Sequence, residues 1–178
     1  GLAQGVKMEG GSEIAPQVRA CVQAGIPVVG HLGLLPQSVH QLGGYRVQAK
    51  ELSSAQKLLD DAKALEGAGA CAIVLECVPG PLATIVSESL SIPTIGIGAG
   101  AGCDGQVLVF HDLLQYATGL SPKFVKTYAD AGAVIRNAIA AYAREVRERA
   151  FPGPEHTFSM DEAVLEALRQ RRDRHDRP

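Results

Sequence analysis

The chain has 178 residues, 46% of them hydrophobic, which is ample for a packed core and excludes a disordered chain. A net charge of −2 leaves no basic footprint for nucleic acid or a membrane surface, and no apolar run approaches the length of a membrane span. The expected partner is a small molecule. Cys21, Cys71, Cys77 and Cys103 stand in apolar or strand-like surroundings, without metal-type pairing and without a secretory leader ahead of them. They read as buried free thiols of a cytoplasmic protein. The opening GLAQGVKMEGG enters a strand almost at once and carries no initiator methionine, as a truncated or cleaved chain would.

Val6-Lys7-Met8-Glu9 is expected to be a short strand, and its period of two sets Lys7 and Glu9 on one face with Val6 and Met8 on the other. On a barrel strand the apolar pair meets the helices and the charged pair points into the barrel mouth. An exposed edge strand with a solvated ion pair would give the same pattern. Ser12 is a candidate cap for a helix from Glu13 to about Ala24, which Gly25 ends. Ile26 to Gly30 forms a second strand that delivers His31 to its carboxyl end, on the face of Val29. A histidine so placed is either a site residue or a satisfied structural one. From there to Glu51 the chain reads as a long loop containing Gly43-Gly44, and loops of that length in compact units are more often functional than idle. Ser53 or Ser54 then caps a helix to about Ala68, with Ala55, Leu58, Leu59, Ala62 and Leu65 on its inner stripe.

Ala70 to Pro79, ACAIVLECVP, is an apolar run that ends in one carboxylate, Glu76, and it reads as a strand buried on both faces. In parallel sheets ligands lie beyond the carboxyl ends of the strands, so Glu76 is a candidate for chemistry. Capping the next helix or pairing with a base is the alternative. Pro81 opens a helix to Leu90, and Thr94 to Gly98 is a fourth strand. The glycines that follow, Gly96 to Gly102, mimic a dinucleotide fingerprint, but the next residues, Asp104 to Val109, form another strand instead of a helix. Their expected role is to let backbone pass close to a ligand or to another backbone. Ser121-Pro122 opens the longest helix, to about Arg149, with Phe124, Tyr128, Ala131, Ile135, Ile139, Tyr142 and Val146 on its stripe. Phe151-Pro152-Gly153-Pro154 breaks it. Ser159 with Glu162 forms a capping box for a last short helix with a solvated basic end.

Five strands, near residues 6, 28, 73, 95 and 107, with helices between most of them, make a parallel α/β sheet. Five strands suit a small doubly wound domain and also the back part of a (β/α)8 barrel, which takes about 250 residues in full. The segments VKMEGG, HLGLLPQSV, GGYRVQ, LECVP, IPTIGIGAG, CDGQVLVFHD, PKFVKTYAD and FPGPEHTF choose between them. From about Gly5 to Phe158 they resemble the ketopantoate hydroxymethyltransferase (3-methyl-2-oxobutanoate hydroxymethyltransferase) family. Leu35 stands where that family usually has Thr, and Ala49 and Gln115 stand where it usually has Gly.

The resemblance implies a (β/α)8 barrel of which this chain supplies about the last five strands, residues 1–158, followed by a terminal helix and basic tail, 159–178. It implies that the first three strands, with two metal-binding aspartates, precede Gly1. It further implies transfer of a hydroxymethyl unit from 5,10-methylenetetrahydrofolate to 3-methyl-2-oxobutanoate with Mg²⁺, and a homo-oligomer, a decamer of two pentameric rings. Glu76 matches the family's proton acceptor, Glu9 its metal-associated glutamate and Lys7 a substrate contact, while His31 lies in a motif near the substrate. Two alternatives stand beside this reading, a Schiff-base aldolase with Lys7 as nucleophile and a non-catalytic barrel fragment.

Overall fold

The computed structural model describes residues 2–36, 47–116 and 122–175. The chain packs as two compact units, 1–130 and 131–178. In the first, β1 (Val6–Glu9), β2 (Val28–Gly33), β3 (Ala72–Glu76), β4 (Thr94–Ile97) and β5 (Gly105–Gln106) form one parallel sheet in the order β1-β2-β3-β4-β5. Helices α1 (Ala15–Gln23), α2 (Leu52–Gly67) and α3 (Gly80–Glu88) fill the connections between the first four strands. A doubly wound sheet reverses its strand order at a switch point, whereas a (β/α)8 barrel lays each strand beside the last. The sequential order is the barrel's, over five of its strands.

Alternation along the strands separates two faces. Val28, Leu32, Ile73 and Leu75 are buried in one core with Val18 of α1, Leu58, Ala62 and Leu65 of α2, and Ala83 and Val86 of α3. Each such side chain contributes about 1.5–3 kcal/mol on burial. The opposite face carries Glu9, Val29, His31, Val74, Glu76 and Ile95, all half-buried except His31, which is fully buried. The run around Glu76 is therefore fully buried on its helix face only: Ile73 and Leu75 are sealed, while Ala72, Val74 and Glu76 are half-covered. An outward side chain on β2 must also leave room for α2, and a Cβ at Gly30 would lie 2.9 Å from Leu65 Cδ1.

Several local expectations are corrected. Ser12 does not cap α1. It opens a short 3-10 turn, Ser12–Ile14, and its hydroxyl is spent on Asp61. The first residue outside α2 is Glu51, whose amide donates to Ser54 Oγ at 3.3 Å, so Ser54 closes the cap from inside the first turn. β2 continues past Gly30 to Gly33, which places His31 inside the strand. β5 pairs over two residues only, because β4 turns away at Gly98 (φ +65°); Val107 and Val109 stay exposed. The glycine loop between β4 and β5 passes against another backbone, as expected: a Cβ at Gly100 would lie 2.8 Å from Gly80 Cα.

α4 (Phe110–Leu113) is one short turn, and the segment after Pro122 is not helical. The Tyr128 amide donates to Leu113 O at 2.9 Å instead of to a helical carbonyl, so the long helix begins only at Ala131. Of the expected stripe, Phe124 and Tyr128 thus lie outside it. Ser121 and Gly43-Gly44 fall outside the described residues. Among the cysteines, all free, Cys71 is exposed and the other three are half-buried, with Cys21 and Cys103 packed against the edge of the core.

The second unit holds α5 (Ala131–Glu148) and α6 (Glu162–His175). α5 ends with Arg149 at φ 58° and the Ala150 amide on Glu145 O at 2.8 Å, a closure that satisfies a terminal carbonyl. Beyond it the Phe151 ring meets Tyr142 of α5 edge-on and His156 at a tilt, with centroids 5.6 and 5.1 Å apart in turn. Asp161, not Ser159, caps α6, accepting the Ala163 amide at 2.8 Å. Among the described residues no helix is long and apolar enough to cross a membrane.

Candidate active site

Three of the residues singled out from sequence converge on the half-covered face at the strand ends. Glu9 is register partner of His31 across β1 and β2, and Gly33, two residues on, is partner of Glu76 across β2 and β3. The imidazole lies between the two acids. Nε2 is 3.1 Å from Glu76 Oε2 and Nδ1 is 3.6 Å from Glu9 Oε1. The His31 side chain is 1% exposed, against 13% for Glu9 and 16% for Glu76. Nε2 is within hydrogen-bond distance of its carboxylate but off-line, Nδ1 is too far from its own, and neither makes a hydrogen bond.

Each acid is held by the backbone beside it. The Gly10 amide donates to His31 O at 3.2 Å, which ties the end of β1 to β2. Asp61 of α2 then accepts the Ser12 amide and hydroxyl at 3.0 and 2.8 Å and the Lys57 ammonium at 2.5 Å. A side chain at Gly11 would collide with that carboxylate. Burial works to raise the Asp61 pKa, but the bonds from Lys57 and Ser12 outweigh it and hold the carboxyl below its usual value.

At the other acid, the Leu34 amide donates to Glu76 O at 2.8 Å, and Gly33 is glycine where a Cβ would strike that same carbonyl. Cys77 follows in left-handed backbone, φ 50°, pinned by its amide on Ile97 O at 2.9 Å and by the Gln48 amide on its own carbonyl at 2.8 Å. A non-glycine residue there costs on the order of 1–3 kcal/mol, and such strain gathers at functional sites. The strand therefore stops at Glu76. Burial, and then the Glu76 charge, push the Cys77 thiol pKa up.

Lys7 shares the face of Glu9 by register and is exposed. Sequence reading missed Asp61 and Cys77. Asp61 could have been found as a lone acid among stripe residues, three after Leu58 and four before Leu65. Cys77 carries no sequence signal for its left-handed backbone. Beyond β4, a cleft of about 490 Å³ is lined by Gly98, Gly100, Cys103, Asp104, Gln106 and Phe124.

A hard divalent cation takes oxygen donors, which Glu9 can supply. Among the described residues no group of three or more His, Cys, Asp and Glu could hold a metal ion, so the donor set within them is partial.

The family model of ketopantoate hydroxymethyltransferase matches residues 1–154. Similar proteins called 3-methyl-2-oxobutanoate hydroxymethyltransferase occur in Carboxydothermus hydrogenoformans (60% identical over 94% of this chain), Clostridium novyi (54% over 94%) and Nitratidesulfovibrio vulgaris (57% over 92%). The chain spans 61%, 61% and 53% of their respective lengths. A solved structure, a putative lyase/mutase from Burkholderia cenocepacia J2315, is 14% identical with a TM-score of 0.38, covering 93% of this chain and 59% of that one, too slight a likeness to argue from. By the family match and by these identities, the chain belongs to the ketopantoate hydroxymethyltransferase family.

Proposed function

We propose that the protein transfers a hydroxymethyl group from 5,10-methylenetetrahydrofolate to 3-methyl-2-oxobutanoate, giving 2-dehydropantoate in the route to pantothenate and coenzyme A. The observation that carries this reading is the meeting of Glu9 and Glu76, at the carboxyl ends of β1 and β3, around His31 of the strand between them in a chain of this family. The C–H next to the keto group is a weak acid. Glu76 is the base that takes its proton. Overall, a C–C bond to the folate methylene replaces the C–H bond, a C–O bond from water replaces the other of the methylene's two C–N bonds, and tetrahydrofolate leaves with both nitrogens carrying N–H, one proton from the substrate carbon and one from water.

Mg²⁺, when bound, supplies stabilisation of the negative oxygen of the enolate. Glu9 is the residue of this chain that would hold it, and further donors would come from outside the described residues. Lys7 offsets the substrate carboxylate charge. A Schiff-base role for Lys7 would need a desolvated amine, and Lys7 is exposed.

Residues 1–158 serve as the barrel portion and 159–178 as a terminal helix and basic tail. A homo-oligomer, with a decamer as the family's form, is part of the proposal; Val134, Ile139 and Tyr142 of α5, 69%, 63% and 57% exposed, offer apolar area for it. Four free cysteines support a reducing, cytoplasmic setting.

The test is exchange of the substrate's C3 hydrogen in D₂O, followed by NMR on the full-length protein with Mg²⁺ and without folate. Glu76→Gln is expected to slow exchange by roughly 10²–10⁴-fold, the usual contribution of a general base. Exchange at the unaltered rate would remove Glu76 from the role.

A further inference from the structure

We propose that His31 is a positioning residue for Glu76: its imidazole holds one carboxylate oxygen in place and sets the base for the substrate, without touching the substrate itself. The inference rests on the reading of Glu76 as the base. It departs from the expectation that His31 contacts substrate, because the side chain is 1% exposed and both edges of its ring are occupied by acids.

A fully buried side chain whose two nitrogens both lack aligned partners is rare and calls for a physical reason. Among the described residues, the charged groups that face the imidazole are the carboxylates of Glu9 and Glu76. The shorter contact, 3.1 Å at Nε2 against 3.6 Å at Nδ1, makes Glu76 Oε2 the acid that the ring sits against most closely, so an N–H at Nε2 is the one that would hold it. The backbone adds rigidity from both sides: His31 lies mid-strand between β1 and β3, and Glu76 is fixed by the Leu34 amide and by the turn at Cys77. At 3.1 Å the pair is within hydrogen-bond distance and lacks only alignment. Catalytic hydrogen bonds commonly tighten in that way only when substrate binds. Residues that orient a working side chain typically change activity by about 10–100-fold when lost.

The experiment uses the full-length protein with Mg²⁺, reading C3-hydrogen exchange of 3-methyl-2-oxobutanoate in D₂O without folate, with far-UV circular dichroism as the check on folding. His31→Leu is expected to lower the limiting exchange rate by roughly 10–100-fold while KM for the keto acid changes less than about threefold. His31→Gln, whose amide N–H falls near the place of Nε2, should keep several-fold more activity than His31→Asn, whose N–H falls near Nδ1.

The proposal is overturned if His31→Leu exchanges at the normal rate, if it raises KM while the limiting rate holds, or if Gln and Asn variants behave alike. The Gln and Asn comparison decides the matter even if the leucine variant fails to fold. Glu76→Gln separates the two readings. Normal exchange in that variant removes the base assignment and this proposal with it, whereas slow exchange there beside normal exchange in His31→Leu removes this proposal alone.

Discussion

Asp61, from the third turn of α2, accepts both the amide and the hydroxyl of Ser12, the third residue after Glu9. One carboxylate thereby fixes the loop leaving β1, and with it the strand end that carries Glu9. Lys57, one turn earlier on the same helix, completes the clamp.

Removing that charge should destabilise the fold in a pH-dependent way. Hydrogen bonds to charged groups are worth about 1.5–3 kcal/mol, so Asp61→Asn should lose roughly that in urea unfolding at neutral pH. The folded pKa is depressed below the unfolded value of about 3.9. The stabilisation is therefore present above the unfolded pKa and disappears as pH falls through the folded one. Wild type and variant should begin to draw together below about pH 4 and merge once pH has fallen through the depressed folded pKa. An equal gap at pH 3 and pH 7 would show that the charge is not the cause.

The two glycine departures noted in the sequence have a backbone meaning. Ala49 sits at φ 54° and Gln115 at φ 49°, where L-residues are strained. Gln115 follows α4, and the Tyr116 amide returns to His111 O at 2.8 Å, a helix ending that glycine makes freely. Glycine at either position relieves about 1–2 kcal/mol in the native state and gives back about 0.4–1 kcal/mol through a freer unfolded chain. Ala49→Gly and Gln115→Gly should each raise the denaturant midpoint, with the slope unchanged. A lower midpoint would mean that the present residue makes compensating contacts.

Thiol chemistry should follow geometry. Cys71 is exposed, whereas the Cys77 thiol is half-buried with its pKa raised by burial and by Glu76. Because the thiolate is the nucleophile, iodoacetamide at pH 8 should label Cys71 well before Cys77, with Cys77 accelerating only at higher pH. Mass spectrometry of tryptic peptides reads the order. Cys77 labelled first would contradict the burial of that strand end.

What was legible in the sequence follows physical lines. Strand positions and the shared face of Lys7 and Glu9 come from period-two alternation, which is local. The end of β3 at Glu76 was legible too, from the apolar run and its closing carboxylate. Caps were not: Ser12 and Ser159 have the chemistry of capping residues, but Asp61 claims one from 49 positions away and Asp161 replaces the other. The early start assigned to the long helix failed for a similar reason. Phe124 and Tyr128 fit its period, yet the Tyr128 amide is used by Leu113, a tertiary bond that periodicity cannot register. The convergence of His31 on both acids depends on inter-strand register, which no single strand encodes.

Glu9 and Lys7 should separate in their effects, although they project from the same short strand. Glu9 lies nearer the strand end, 3.6 Å from His31 through Oε1, with its side chain 13% exposed; Lys7 is one pleat back and open to solvent. As the proposed metal-associated residue, Glu9 loses an oxygen donor in Glu9→Gln. The Mg²⁺ concentration for half-maximal activity of the full-length protein should rise by roughly 10–100-fold on the scale of coordination-sphere changes. Calorimetric titration with Mg²⁺ and no substrate should weaken in parallel. In the proposed function Lys7 instead meets the carboxylate of the keto acid. A hydrogen bond to a charged group is worth about 1.5–3 kcal/mol, so Lys7→Ala should raise KM for 3-methyl-2-oxobutanoate roughly 10–100-fold while leaving Mg²⁺ titration unchanged. If Lys7→Ala weakens metal binding, or if Glu9→Gln alters KM alone, the two roles are assigned the wrong way round. If both variants keep wild-type values, the face they share is not the site.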